Sequence, residues 1–225
     1  MEFGLFTEFQ SPPGMTDAQA FDESMAQICA AEEFGCDAVW LAEIHFQQGR
    51  SVLSSPLIVA SAIAGRTKRV KIGIAVQVLP PSHPPHLAED VATLDHLCKC
   101  EAGHPGRGSV GLIVPVYVAD SACQAREEPE ASTMFFFRSI AEALARGGTN
   151  REEAARLGRL SYDEILDELA VYGTPEAVTD RLLELRETLG FSTLSVWMNV
   201  GGRIPHEHTM TSMRLFAERV APRLS

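Results

Sequence analysis

Val70-Lys71-Ile72-Gly73-Ile74-Ala75-Val76-Gln77-Val78-Leu79 is apolar on both faces towards its end, the pattern of a strand buried on both sides in a parallel sheet. Helix-like segments flank it. A helix over about Pro56 to Gly65 precedes it, and Leu87, Val91, Leu94 and Cys98 form a helical stripe after it. Upstream, Glu2 to Thr7 reads as a strand. Thr16 and Gln19 stand at capping-box spacing before Phe21, Met25, Ile28 and Cys29, and Gly35 stops that helix. Asp37 to Ile44 is the second strand. Downstream of a polar, Gly-rich connection over Glu101 to Ser109, Val110 to Ala119 is a fourth. Helices are expected over roughly Ala131 to Arg146, Ser161 to Tyr172 and Pro175 to Leu189, the last with Thr174 as N-cap and proline at its first position. Thr193 to Val200 is the fifth strand and ends in Gly201-Gly202. A closing helix puts Met210, Met213, Phe216 and Val220 on one face. Strands alternating with helices imply an α/β fold with a parallel sheet covered by helices. A full (β/α) barrel needs eight such units in typically ~250 residues. About five are present, so the residues leave an open sheet and an incomplete barrel both standing.

The chain has 225 residues, 45% hydrophobic and 22% charged, enough for one globular domain with a sizeable core. Nineteen basic against thirty acidic residues leave a net charge of −11, with no dense basic stripe. A nucleic-acid backbone or an anionic membrane surface is therefore not the expected partner. No apolar stretch reaches the length of a membrane span. Met1-Glu2-Phe3-Gly4-Leu5 lacks the basic head and apolar centre of a signal peptide, and five cysteines read as mostly free thiols. The expected location is the cytoplasm.

Several constellations carry a chemical reading beside a plainer one. Gly106-Arg107-Gly108-Ser109-Val110-Gly111 spells GxGxxG, but these glycines precede a strand instead of following one. No helix N-terminus is then aimed at a pyrophosphate. His96, Cys98, Cys100 and His104 cluster in sequence, yet a one-residue gap between cysteines fits structural zinc poorly, so no metal is expected. His83 and His86 flank Pro84-Pro85 and read as loop and helix-start residues. His206 and His208 flank Glu207 at a helix start, where capping or solvation is the default reading. Trp40, Phe135, Phe136 and Phe137 read as core. Glu43 and His45 differ, because they close the second strand at the end where barrel active sites collect their polar groups. A histidine there can move a proton near neutral pH.

Met1-Glu2-Phe3-Gly4-Leu5-Phe6, Val39-Trp40-Leu41-Ala42-Glu43-Ile44-His45-Phe46 and above all Gly73 to Leu97 resemble the bacterial luciferase-like flavin-dependent monooxygenases. Within the last stretch Ile74-Ala75-Val76-Gln77-Val78-Leu79-Pro80, His83-Pro84, Ala88-Glu89-Asp90 and Leu94-Asp95-His96-Leu97 follow the family in order. Pro115 to Ala119, Tyr172-Gly173-Thr174-Pro175-Glu176 and Asn199-Val200-Gly201-Gly202 resemble its C-terminal part. Two departures stand out. Many members pair two histidines after the glutamate, whereas Ile44 takes the place of the first here. After Leu97, Cys98-Lys99-Cys100 runs almost directly into Gly103-His104-Pro105-Gly106, so the middle of the barrel is missing.

The resemblance implies an incomplete (β/α) TIM-type barrel of about five parallel strands in a single luciferase-like domain. Residues 1–97 and 101–225 would supply its two halves. The strands would be the first, second, third, seventh and eighth of the family, the eighth lying beside the first. It further implies an oxidoreductase acting on paired donors with incorporation of molecular oxygen, using O₂ and reduced FMN from a separate flavin reductase on a small organic substrate. A non-catalytic flavin-binding relative or partner subunit is the alternative. His45 would handle the proton. Glu43, Ala75, Val76 and Gln77 would line the isoalloxazine side, with a strained peptide at the strand end. Asn199, Gly201 and Gly202 would contact flavin or phosphate. Helices around Pro56–Ala64 and Leu87–Cys98 would pair two copies into a homodimer.

Overall fold

Strand β1 (Glu2–Thr7) is paired on both sides. On one side it runs parallel to β2 (Ala38–Leu41), with Leu5 opposite Val39. On the other it runs parallel to β6 (Thr193–Trp197), with Leu5 opposite Val196. Strand β3 (Lys71–Ile74) continues beyond β2, with Gly73 opposite Trp40. These observations come from a computed structural model that describes residues 1–45, 47, 49–76, 78, 84–97, 111–147 and 151–224. Parallel neighbours need crossover connections, and α1 (Asp17–Glu33), α2 (Pro56–Ala64) and α3 (Pro84–Leu97) follow the first three strands. Thr16 and Gln19 form the capping box that their spacing predicts.

Strand alternation sorts the side chains of this unit, which comprises Met1–Ile113 and Thr188–Val196. Leu5, Val39, Leu41 and Leu194 share one phase and are buried. Gly4, Trp40, Gly73 and Ser195 occupy the other phase. A Cβ on Gly73 would overlap the Trp40 ring, so glycine there makes room for the indole. The Trp40 Nε1 atom is buried with no hydrogen-bond partner.

The second unit comprises Val114–Glu187 and Trp197–Ser225. Its strands β4 (Gly111–Val118) and β5 (Val171–Gly173) are parallel, with Tyr117 opposite Tyr172. Around them lie α4 (Ala122–Gly147), α5 (Arg151–Leu157), α6 (Tyr162–Glu168) and α7 (Pro175–Leu189). Helix α8 (His206–Leu215) continues through a π-helical stretch, Phe216–Val220, into α9 (Ala221–Leu224). Phe136, Phe137, Ile165, Ala170 and Val200 make a buried cluster, with Trp197 edge-on to Phe136 at 4.7 Å.

The fold is α/β and the barrel is not closed, as expected. Two details correct the sequence reading. Among the described residues six strands form instead of five, because Val171 and Tyr172 leave the expected helix and, with Gly173, pair with β4. Helix α4 begins at Ala122 and not near Ala131, carrying Pro129 inside it. Among the described residues no helix is long and apolar enough to cross a membrane.

Candidate active site

The chain leaves β2 at Leu41, and the ladder extends one step further as Ala42 N–H donates to the Thr7 carbonyl at 3.1 Å. Glu43 follows and is buried. A buried carboxylate must be met by hydrogen-bond partners, and His45 and Val78 are among them. One oxygen of Glu43 lies 2.6 Å from His45 Nε2, and the other accepts the Val78 backbone N–H at 2.7 Å. Glu43 therefore ties the end of β2 to the segment after β3 and holds the imidazole, which is itself partly exposed. Ala75 continues the β3 ladder, its N–H donating to the Leu41 carbonyl at 2.8 Å, and the Ala75–Val76 peptide is cis. Val76 is 69% exposed, a large apolar side chain offered to solvent at a strand end. Glu43, His45, Ala75 and Val76 are thus in one neighbourhood of the first unit. Gln77 lies outside the described residues, as do Phe46, His83, Cys98, Cys100, His104 and all of the GxGxxG run except Gly111.

In the second unit Asn199, Gly201 and Gly202 form the turn that follows β6. The Asn199 amide is engaged at both ends with one residue, accepting from Ile204 N–H at 3.1 Å and donating to its carbonyl at 3.2 Å. Gly201 has φ +85° and Gly202 has φ +67°, the left-handed region that favours glycine. A Cβ on Gly201 would overlap the Ser132 carbonyl of α4. Ser132 Oγ in turn donates to Val200 O at 2.6 Å and accepts from Arg203 N–H at 2.8 Å. The turn's own packing demands this glycine, whatever ligand it meets.

Two clusters escaped the sequence reading. Glu8, 4% exposed, accepts from both Nε and Nη2 of Arg50 at 3.2 and 2.7 Å. The visible signal is an acid inside the apolar run of residues 3–9, since a buried acid requires a partner. The second cluster lines an open cleft of about 160 Å³. There Tyr117 donates to Glu128 at 2.5 Å, and His208 Nδ1 stands 3.7 Å from the same carboxylate oxygen. Burial, followed by the Glu128 hydrogen bond and charge, pushes the Tyr117 phenol far above its ordinary value. His208 is thus half exposed, in keeping with the solvated reading, and reaches from α8 towards Glu128 of α4.

The strand-end carboxylate and imidazole lie in the part of the chain that matches a known family. Residues 1–99 match the family model for luciferase-like monooxygenases. Over these residues, the chain is similar to the luciferase-like monooxygenases. The chain is 33% identical over 120 residues to the alkanal monooxygenase alpha chain of Photorhabdus laumondii, covering 53% of this chain and 32% of the relative. It is 32% identical over 154 residues to the alkanal monooxygenase alpha chain of Aliivibrio fischeri, covering 65% and 40%. The chain thus spans about a third of the length of the curated relatives it matches. Its fold is similar to that of the oxygenating constituent of 3,6-diketocamphane monooxygenase from Pseudomonas putida, solved with FMN. That likeness has TM-score 0.76 at 16% identity and covers 99% of this chain and 98% of the other.

Proposed function

We propose that this luciferase-like chain is a monooxygenase that uses reduced FMN and O₂ on a small organic substrate, with His45 as its proton-handling residue. The observation that carries the reading is the buried Glu43 carboxylate joining His45 at 2.6 Å to the Val78 N–H at 2.7 Å. The residues of the first unit fit a flavin in kind. Val76 and Ala75 offer the apolar surface that a flat ring system covers, and Glu43 and His45 offer polar groups beside it. Reduced FMN, when bound, supplies the two electrons with which O₂ gives one oxygen atom to substrate and one to water.

The chain's own residues orient groups and move protons. Glu43 accepts from Val78 N–H, which fixes the carboxylate. With Glu43 also accepting from His45 Nε2–H, the basic lone pair of the neutral ring is on Nδ1. In this reading His45 is the group that takes and returns the proton. The contact at Asn199, Gly201 and Gly202 enters this reading as backbone donors only, because the Asn199 amide already serves Ile204.

The rest of the reading concerns partners. A separate flavin reductase supplies the reduced flavin, in the cytoplasm, and two copies pair through α2 and α3. Exposed Ile58 on α2 and Val91 and Leu97 on α3 support that face. The direct test is oxidation of reduced FMN with a flavin reductase present, over a panel of aldehydes and other small organic compounds. Substrate-dependent turnover that falls in His45→Ala supports the reading. Equal rates in both proteins remove His45 from the chemistry, and no turnover in the unaltered chain favours a non-catalytic relative.

A further inference from the structure

The loop that carries His45 is fastened at points that no strand pairing requires. Its ends are closed by Ile44 N–H donating to the Leu53 carbonyl at 3.1 Å. Its far side is laid against the two residues that continue β1. Val52 N–H donates to the Phe9 carbonyl at 3.0 Å, and Ser51 Oγ donates to the Glu8 carbonyl at 2.5 Å. Phe9 has φ +52°, the left-handed region that a bulky residue rarely adopts, and its side chain is fully buried against Phe21. Such a conformation persists only where the surroundings over-determine it, and such sites concentrate where geometry matters. The Glu8 side chain completes the arrangement. Its carboxylate holds the Arg50 guanidinium in a two-point fork, and Arg50 Nη1 donates to Gln47 Oε1 at 2.9 Å. Gln47 lies two residues from His45.

We infer that Glu8 and Arg50 are positioning residues, a clamp rooted in the buried Glu8 carboxylate that fixes the His45 loop to the end of β1 so that His45 keeps its contact with Glu43. The inference rests on the reading of His45 as the proton-handling group. The clamp's chemistry suits the task. A guanidinium fork meets a carboxylate at two points and so fixes direction as well as distance, which a lysine ammonium does not. Burial of Glu8 makes the pairing obligatory, because an unmatched carboxylate in that position would draw the loop apart to reach water.

The test reads the loop directly and needs no substrate. Imidazole signals are recorded by heteronuclear NMR on the full chain, with His45 assigned by its loss in His45→Asn. Glu8→Gln and Arg50→Lys are compared with Val178→Ala, a core truncation in the second unit. The expected result is a displaced or doubled His45 signal in both clamp variants, an unchanged one in Val178→Ala, and His208 unmoved throughout. Amide exchange at Ile44 and Val52 is expected to quicken at least tenfold in the clamp variants, while Leu5 and Val39 keep their protection. An unmoved His45 signal with unchanged exchange at Ile44 and Val52 overturns the inference. So does global unfolding of both clamp variants, since the pair then holds the unit and not the loop. Failure of the flavin reading would show separately, as absence of FMN binding in the unaltered chain with the His45 signal intact.

Discussion

His45 and Glu43 sit two residues apart in the segment that follows β2, close enough that one side chain can hold the other. Truncating His45 removes a partly exposed ring, so His45→Ala should keep the fold, read as an unchanged circular dichroism spectrum. Turnover of reduced FMN with substrate should fall ~10²–10⁴-fold, the usual contribution of a positioned proton-transfer group. Gly201 behaves differently. A side chain there meets the Ser132 carbonyl and must adopt φ +85°. Gly201→Val should lose about 1–3 kcal/mol in urea unfolding, with or without FMN present. A loss seen only with FMN would return the glycine to a ligand role. The sequence makes Glu43 and His45 legible because polar residues closing an apolar strand stand out locally. Glu8 and Arg50 are 42 positions apart and share no periodicity, so only the folded chain pairs them.

At the scale of elements, Glu32 in the last turn of α1 accepts from the backbone N–H groups of Lys68, Arg69 and Val70 at the entrance to β3. Burial pushes its carboxyl upwards, but those hydrogen bonds and the Arg69 charge outweigh it and hold the group below the usual carboxylate range. A folded-state value below the unfolded one means stability that is fully present at neutral pH and lost as pH falls through the folded value. Glu32→Gln should therefore lower stability by about 1 kcal/mol at pH 7, less at high salt because the group is partly exposed. The gap from the unaltered chain should close below about pH 4 in a stability–pH series. Thr16→Ala, which removes half of the α1 capping box, should lose about 1 kcal/mol at any pH between 5 and 8. Elements set by local chemistry were legible: β1 and α7 match their expected bounds. Strand β5 was not, because its three residues become a strand only by pairing with β4. Nor was the start of α4, since Pro129 normally signals a break, yet here the helix runs through it.

For the whole molecule, the alternation of strands and helices announced the α/β class, and the abrupt join after Leu97 announced that the barrel does not close. The exposed apolar residues Ile58, Val91 and Leu97 on α2 and α3 lead to a further expectation. Light scattering at micromolar concentration should give the mass of two chains, each 24.5 kDa, and Ile58→Lys should shift it towards one. A monomer in the unaltered chain would remove the proposed pairing. The central claim is that these residues still hold a flavin although the chain spans only about a third of its curated relatives. Titrating the purified chain with FMN and following flavin fluorescence tests it most directly. The account predicts saturable quenching with one flavin per chain, weakened when Val76 is replaced by Asp. Fluorescence that stays unquenched up to about 1 mM protein, the edge of measurable specific binding, would contradict it.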